Sequence, residues 1–163
     1  MVTKKIEYVE YDVEGSTHTE VAAALTHARD TRPELRGFDA YTDPYVVLEQ
    51  TDLGGGLVQS RAWLRVDVHV PRLAPGAPAD VAECFAKYRA AIDAHEGLHI
   101  RSAELAFSKL HNWMIRGGRS AQEVRDRIDE LKRRFDARSL ELDERTNHGA
   151  PDCDFPPPGC PHA

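Results

Sequence analysis

Ile92-Asp-Ala-His-Glu-Gly-Leu-His-Ile-Arg-Ser102 decides the reading of this chain. Val81, Phe85, Tyr88 and Ile92 lead into it, and Ala106, Leu110 and Trp113 follow it. Every step along this series, through positions 95, 99 and 102, is three or four residues. That is the period of one helix face, and it predicts a helix over about 79–116. Positions 95, 99 and 102 continue the buried stripe, yet they are His, His and Ser. A helix sets residues i and i+4 about 5–6 Å apart at Cβ. Two imidazoles at that spacing can aim their nitrogens at one zinc ion. Glu96 stands one step round the helix, at the edge of the same face, where it can take a proton from an activated water. His95-Glu-Gly-Leu-His99 therefore offers two metal ligands and a general base. Gly97 costs the helix roughly 1 kcal/mol against Ala, and leaves room for another backbone or a substrate.

A catalytic zinc site takes three protein ligands and keeps one position open. Glu104 lies nine residues beyond His95, on the opposite helix face, and reads as a solvated carboxylate. Gly117-Gly118 end the helix. Ser120 with Glu123 forms a capping-box pattern. Val124, Ile128, Leu131, Phe135 and Leu142 then repeat at helical spacing to about Asn147-His148-Gly149. Two helices joined by so tight a turn pack antiparallel, which brings residues near 140–145 beside the motif. His148 and Asp143 are the leading candidates for the third ligand, with His111 and His69 as more distant ones. His148 is the softer donor; Asp143, if not a ligand, can orient a ligand histidine.

On the N-terminal side, residues 5–14 read as a strand rich in β-branched and aromatic types. Thr17 with Glu20 caps a helix over about 18–29. Tyr45-Val-Val-Leu-Glu-Gln50 reads as a second strand. Leu64, Val66, Val68 and Val70 alternate with Trp63, Arg65, Asp67 and His69 in a third. Gly54-Gly55-Gly56 between the last two predicts an antiparallel hairpin. Pro71 to Pro78 reads as a linker. The expected fold is α+β: a small antiparallel sheet of about three strands, packed on the long motif helix and on a second helix antiparallel to it. Residues 1–149 make one domain, and 150–163 a flexible Pro-rich tail.

The chain has 163 residues and a formal charge of −6. One hydrophobic core suffices for that length, and the acidic balance argues against a nucleic-acid partner. No window approaches the roughly 20 apolar residues of a membrane span. No apolar run follows Lys4-Lys5, so the N-terminus carries no visible signal peptide and the chain reads as cytoplasmic. Three cysteines make no disulfide framework. Cys84 reads as a small buried hydrophobe. Cys153 and Cys160 are free to bridge within the tail, or, with His162, to hold a second metal, though the spacing fits no standard zinc pattern.

Several stretches together resemble a known family, the bacterial predicted zinc-dependent proteases filed as domain-of-unknown-function family 922. They are Tyr11-Asp-Val-Glu-Gly-Ser16, Gly37-Phe-Asp-Ala-Tyr-Thr42, Val70-Pro-Arg-Leu73, His95-Glu-Gly-Leu-His99 and Asp143-Glu-Arg-Thr-Asn-His-Gly149. The resemblance implies a zincin-like domain and peptidase-type hydrolysis, and favours His148 as third ligand.

The expected activity is a zinc-dependent hydrolase acting on a peptide or a small molecule, with Glu96 activating water. Tyr41 or Arg145 would donate to the developing oxyanion. An edge strand such as 62–70 would align an extended peptide. The alternatives are a zinc enzyme of small-molecule chemistry (hydrolase, lyase or cyclase) on the same scaffold, and a non-catalytic binding domain.

Overall fold

The computed structural model describes residues 3–150 and 152–161. Its elements run β1 (Lys4–Val13), α1 (His18–Thr31), a 3-10 turn (Pro33–Leu35), β2 (Tyr41–Gly54), β3 (Leu57–Leu73), α2 (Ala79–Met114), β4 (Arg119–Ser120), α3 (Ala121–Thr146) and a second 3-10 turn (Asn147–Gly149). The class is α+β, with a small sheet and three helices.

The sheet is mixed, which corrects the antiparallel expectation. β2 and β3 form the antiparallel hairpin, but β1 pairs with β3 in parallel, Ile6 opposite Val66 and Tyr8 opposite Val68. The cause is topological. The strand order is β1-β3-β2, so β3 folds back from its hairpin into the gap between β2 and β1. Residues 64–69 are thus central, with both edges paired, and offer no edge to a peptide. Among the described strands, the outer edges of β1 and β2 are left unpaired, and that of β2 lies beside the cleft. β3 also runs on through Pro71 to Leu73, where a linker was expected.

Glycine chemistry fixes the two sharp reversals. Gly54, Gly55 and Gly56 all hold positive φ at the hairpin tip, and Gly117 and Gly118 do so between α2 and α3. Side chains with a Cβ resist that region. β4 pairs with the base of β3, Leu57 opposite Ser120, and so ties the interhelix turn to the hairpin. Ser120 then caps α3, accepting from the Glu123 amide, while the Glu123 carboxylate accepts from the Ser120 amide.

The core lies between sheet and helices. Leu64, Val66, Val68 and Val70 are buried, as their alternation requires, and form one cluster with Val81, Tyr88, Ile92, Phe107 and Leu110 of α2. Each such side chain stabilises the fold by about 1.5–3 kcal/mol. The first half of the predicted α2 stripe is the buried face. Beyond His99 the buried positions become Ala103, Phe107, Leu110 and Met114, displacing Ser102, Ala106 and Trp113. A straight helix of 36 residues accumulates drift against any fixed three-and-four pattern, and Phe107 carries the core where the pattern expected Ala106.

The junction between β1 and α1 is tight. A Cβ on Gly15 would lie 2.7 Å from the Val21 backbone nitrogen and 2.8 Å from its Cγ2. Val21 is fully buried and cannot retreat. Gly15→Ala is therefore expected to destabilise by about 1–3 kcal/mol, read as a lower urea midpoint with unchanged slope. A midpoint equal to wild type would show that the helix can shift.

The tail departs most from expectation. Cys84, on the second turn of α2, is disulfide-bonded to Cys160 with Cα atoms 5.9 Å apart, and Cys153 is the free cysteine. Cys84 is thus a cross-link rather than a small hydrophobe, and Cys160 has no thiolate to give a second metal. His162 lies outside the described residues. Phe155 packs edge-on against Tyr88 and near Phe85 and His18, at centroid separations of 5.4–6.0 Å. Residues 152–160 form a strap across the body of the domain, held by a covalent bond that sequence spacing does not reveal.

Candidate metal centre

α2 brings the motif to the floor of a cleft, with β2 on one side and α3 on the other. His99 and Glu96 are both 6% exposed. His95 Nε2 and His99 Nε2 lie 3.2 Å apart. Asp143, from the last turn but one of α3, places Oδ1 3.1 Å from the first and 3.0 Å from the second. Three donors at bond lengths of 2.0–2.1 Å in a tetrahedron stand about 3.3 Å apart. The observed triangle is close to that figure, with its fourth apex open, so the donor set fits zinc. Burial holds the His99 imidazole below its ordinary pKa, against the opposing pull of Asp143. The neutral ring this favours is the form that binds metal.

The antiparallel packing expected from the Gly117-Gly118 turn is what delivers Asp143. His148 sits just past the end of α3 and also lines the cleft. Its Nδ1 is 3.8 Å from Asp143 Oδ1, and its ring lies 4.9 Å from that of Phe38. It stands outside the compact donor group, which is His95, His99 and Asp143. Geometry therefore groups Asp143, rather than His148, with the two motif histidines as a possible donor set. His111 and His69 do not line the cleft. Glu104 pairs with Lys4 on the surface, as a solvated residue should.

Glu96 is held in place by β2. The Thr42 hydroxyl donates to Glu96 Oε2 at 2.6 Å. Thr42 is itself buried and pairs with Val68, sharing that residue's inward face. One carboxylate oxygen is thus fixed and the other left for a proton. Burial raises the Glu96 pKa to about 7, with the Thr42 bond opposing and the Asp143 charge reinforcing the rise. A base of that pKa accepts protons efficiently near neutrality.

Of the two proposed oxyanion donors, Tyr41 lines the cleft, and Arg145 does not: it is exposed on the last turn of α3. The cleft has a volume of about 400 Å³. Its walls include Phe38, Phe135 and Leu140, and its strap side is formed by Cys153 and Asp154. Burial, then the Glu96 charge, push the Cys153 thiol up to about 11.

Three residues of this site escaped the sequence reading. Thr42 had one available signal, a polar residue at an inward position of a strand. Cys153 had none, because only the strap brings it near. Arg36 was also missed. It is a non-glycine residue at φ 52, a left-handed conformation that costs a side chain of its type about 1–2 kcal/mol. Its guanidinium carbon stands 4.5 Å from the centre of the Tyr41 ring.

A family model described as "Bacterial protein of unknown function (DUF922)" matches residues 8–149. Neither the curated proteins nor the solved structures contain a match to this chain. Among the described residues, no helix is long and apolar enough to cross a membrane.

Proposed function

This chain belongs to the DUF922 family of bacterial proteins of unknown function, and we propose that it is a zinc-dependent hydrolase, acting as a metallopeptidase on short substrates. The observation that carries this reading is the convergence of His95, His99 and Asp143 on one point, beside a buried carboxylate of raised pKa. A set of donors spaced for a tetrahedron, with one apex open and a base at hand, suits hydrolysis better than a closed structural site.

His95 Nε2, His99 Nε2 and Asp143 Oδ1 would hold the ion. Zinc, when bound there, supplies a Lewis acid and makes water acidic near neutrality. The remaining chemistry belongs to the chain. Glu96 takes the water's proton on the oxygen that Thr42 leaves free, and returns it to the leaving amine. Tyr41, on the β2 wall, is the hydroxyl donor available to the developing oxyanion. The free edge of β2, which begins at Tyr41, takes over from residues 62–70 as the place for backbone pairing with an extended peptide.

The cleft volume of about 400 Å³ is that of a small-ligand site. It favours a short peptide, and supports as second reading a zinc enzyme acting on a small acyl compound. The Cys84–Cys160 bridge suits an oxidising compartment better than the cytoplasm, and we place the protein's work there.

Metal analysis of the purified chain tests the proposal. The expected result is one zinc per chain, lost in His99→Ala and in Asp143→Ala and retained in His148→Ala. Retention in Asp143→Ala with loss in His148→Ala would make His148 the third ligand. A wild-type chain without stoichiometric zinc would sink the hydrolase reading and leave a binding domain.

A further inference from the structure

Two arginines line the cleft, and their surroundings differ. Arg29 is neutralised by Asp39, Nε to Oδ1 at 3.3 Å. Arg36 lies over the face of Tyr41 and, among the described residues, has no carboxylate within ion-pair distance. Stacking on an aromatic face occupies the plane of a guanidinium and leaves its edge, with paired N–H donors, free for a carboxylate. The placement matters as much as the charge. Tyr41 adjoins Thr42, the residue that fixes Glu96, and Tyr41 is close enough to both Arg36 and Glu96 to feel their charges. Arg36 therefore stands one side chain away from the reacting end of the cleft. The strained backbone that presents it there is followed by Gly37 at φ 86, so the turn itself holds the arginine at the rim.

We propose that Arg36 is a specificity-determining residue that receives a carboxylate of the substrate, so that the cleft selects short acyl substrates carrying a free carboxylate beside the bond to be cleaved. This rests on the hydrolase reading above. The rest of the lining sharpens the selection. Asp136 of α3 and Asp154 of the strap carry negative charge in the same cleft. Away from the ion and from Arg36 a substrate carboxylate meets these groups and is repelled, so Arg36 is the unpaired side-chain cation left to receive it. The shared chemistry has two sources, the C-terminal carboxylate of a peptide and an acidic side chain.

The test is calorimetric and needs no turnover. Zinc-loaded protein is titrated with three dipeptides whose N-terminal acyl cap carries a hydroxamate: one with a free C-terminal carboxylate, one with a C-terminal carboxamide, and one with a carboxamide plus a Glu side chain. A carboxylate-bearing probe is expected to bind roughly 10-fold or more tightly than the plain carboxamide, the worth of a charge-assisted hydrogen-bonded pair. Which of the two leads identifies the source. Arg36→Ala should remove the preference by weakening the anionic probe alone, and Arg36→Lys should restore part of it. Equal binding of all three probes to wild type overturns the proposal, as does an Arg36→Ala variant that weakens all three alike, because Arg36 would then only support Tyr41. Failure of every probe to bind the zinc-loaded wild type overturns the hydrolase reading itself, and this inference with it.

Discussion

Glu96→Gln is expected to hold a full complement of zinc and to hydrolyse its substrate about 10²–10⁴-fold more slowly than wild type, the range that a positioned general base contributes. The proposed ligands His95, His99 and Asp143 are untouched by the change, and the amide keeps an oxygen to accept from Thr42. Only the proton acceptor is lost. Zinc content by atomic absorption, with kcat measured on the same samples, checks both halves. Full turnover in a zinc-loaded variant would remove Glu96 from the mechanism.

The same substitution has a second effect in chelator-treated, metal-free protein. Burial raises the Glu96 pKa from 4.5 to about 7. The folded chain therefore binds the proton more tightly than the unfolded chain does. Stability from this group is fully present below pH 4.5 and is lost as the pH rises through 7. The loss is roughly 3 kcal/mol for a shift of that size. Gln carries no charge and pays no such penalty. Metal-free Glu96→Gln should match wild type near pH 4.5 and exceed it by roughly that amount at pH 8. A difference that does not change with pH would mean that Glu96 is not held neutral by burial.

Cys84→Ser with Cys160→Ser should produce the largest fall in stability of any surface-preserving change. The bond closes a loop with a sequence separation of 76 residues. Chain-entropy arithmetic for such a loop gives about 4.5 kcal/mol, and a domain of this size loses roughly 10 °C or more of Tm for it. The variant should also expose the strap to limited proteolysis between residues 152 and 160, because Phe155 then holds it alone against Tyr88, Phe85 and His18. Zinc should remain, since the proposed ligands sit on α2 and α3. A variant with wild-type Tm and a protected strap would show that packing, not the cross-link, holds the tail.

The sequence by itself determined most of the elements and the placing of the motif residues on one helix. Periodicity located β3 and both long helices, because burial on one face repeats with the geometry of the backbone. Turn glycines located the two reversals. The spacing of His95, Glu96 and His99 set two imidazoles and a carboxylate together, since i, i+1 and i+4 are related by the helix alone. The Gly117-Gly118 turn brought Asp143 and His148 to the same neighbourhood. Tertiary structure separates them: Asp143 is on the helix with its carboxylate against both motif histidines, whereas His148 lies past the helix end, where its ring rests on Phe38. It also decided the mixed sheet, since local pattern specifies a strand and not which strand lies beside it. Thr42 on Glu96, Arg36 on Tyr41 and Cys84 bonded to Cys160 are contacts across 54, 5 and 76 residues. The long ones leave no periodic trace, and the short one depends on a left-handed residue in a turn. The motif His95-Glu-Gly-Leu-His99 announces a site, and the strands and strap around it shape what the site accepts.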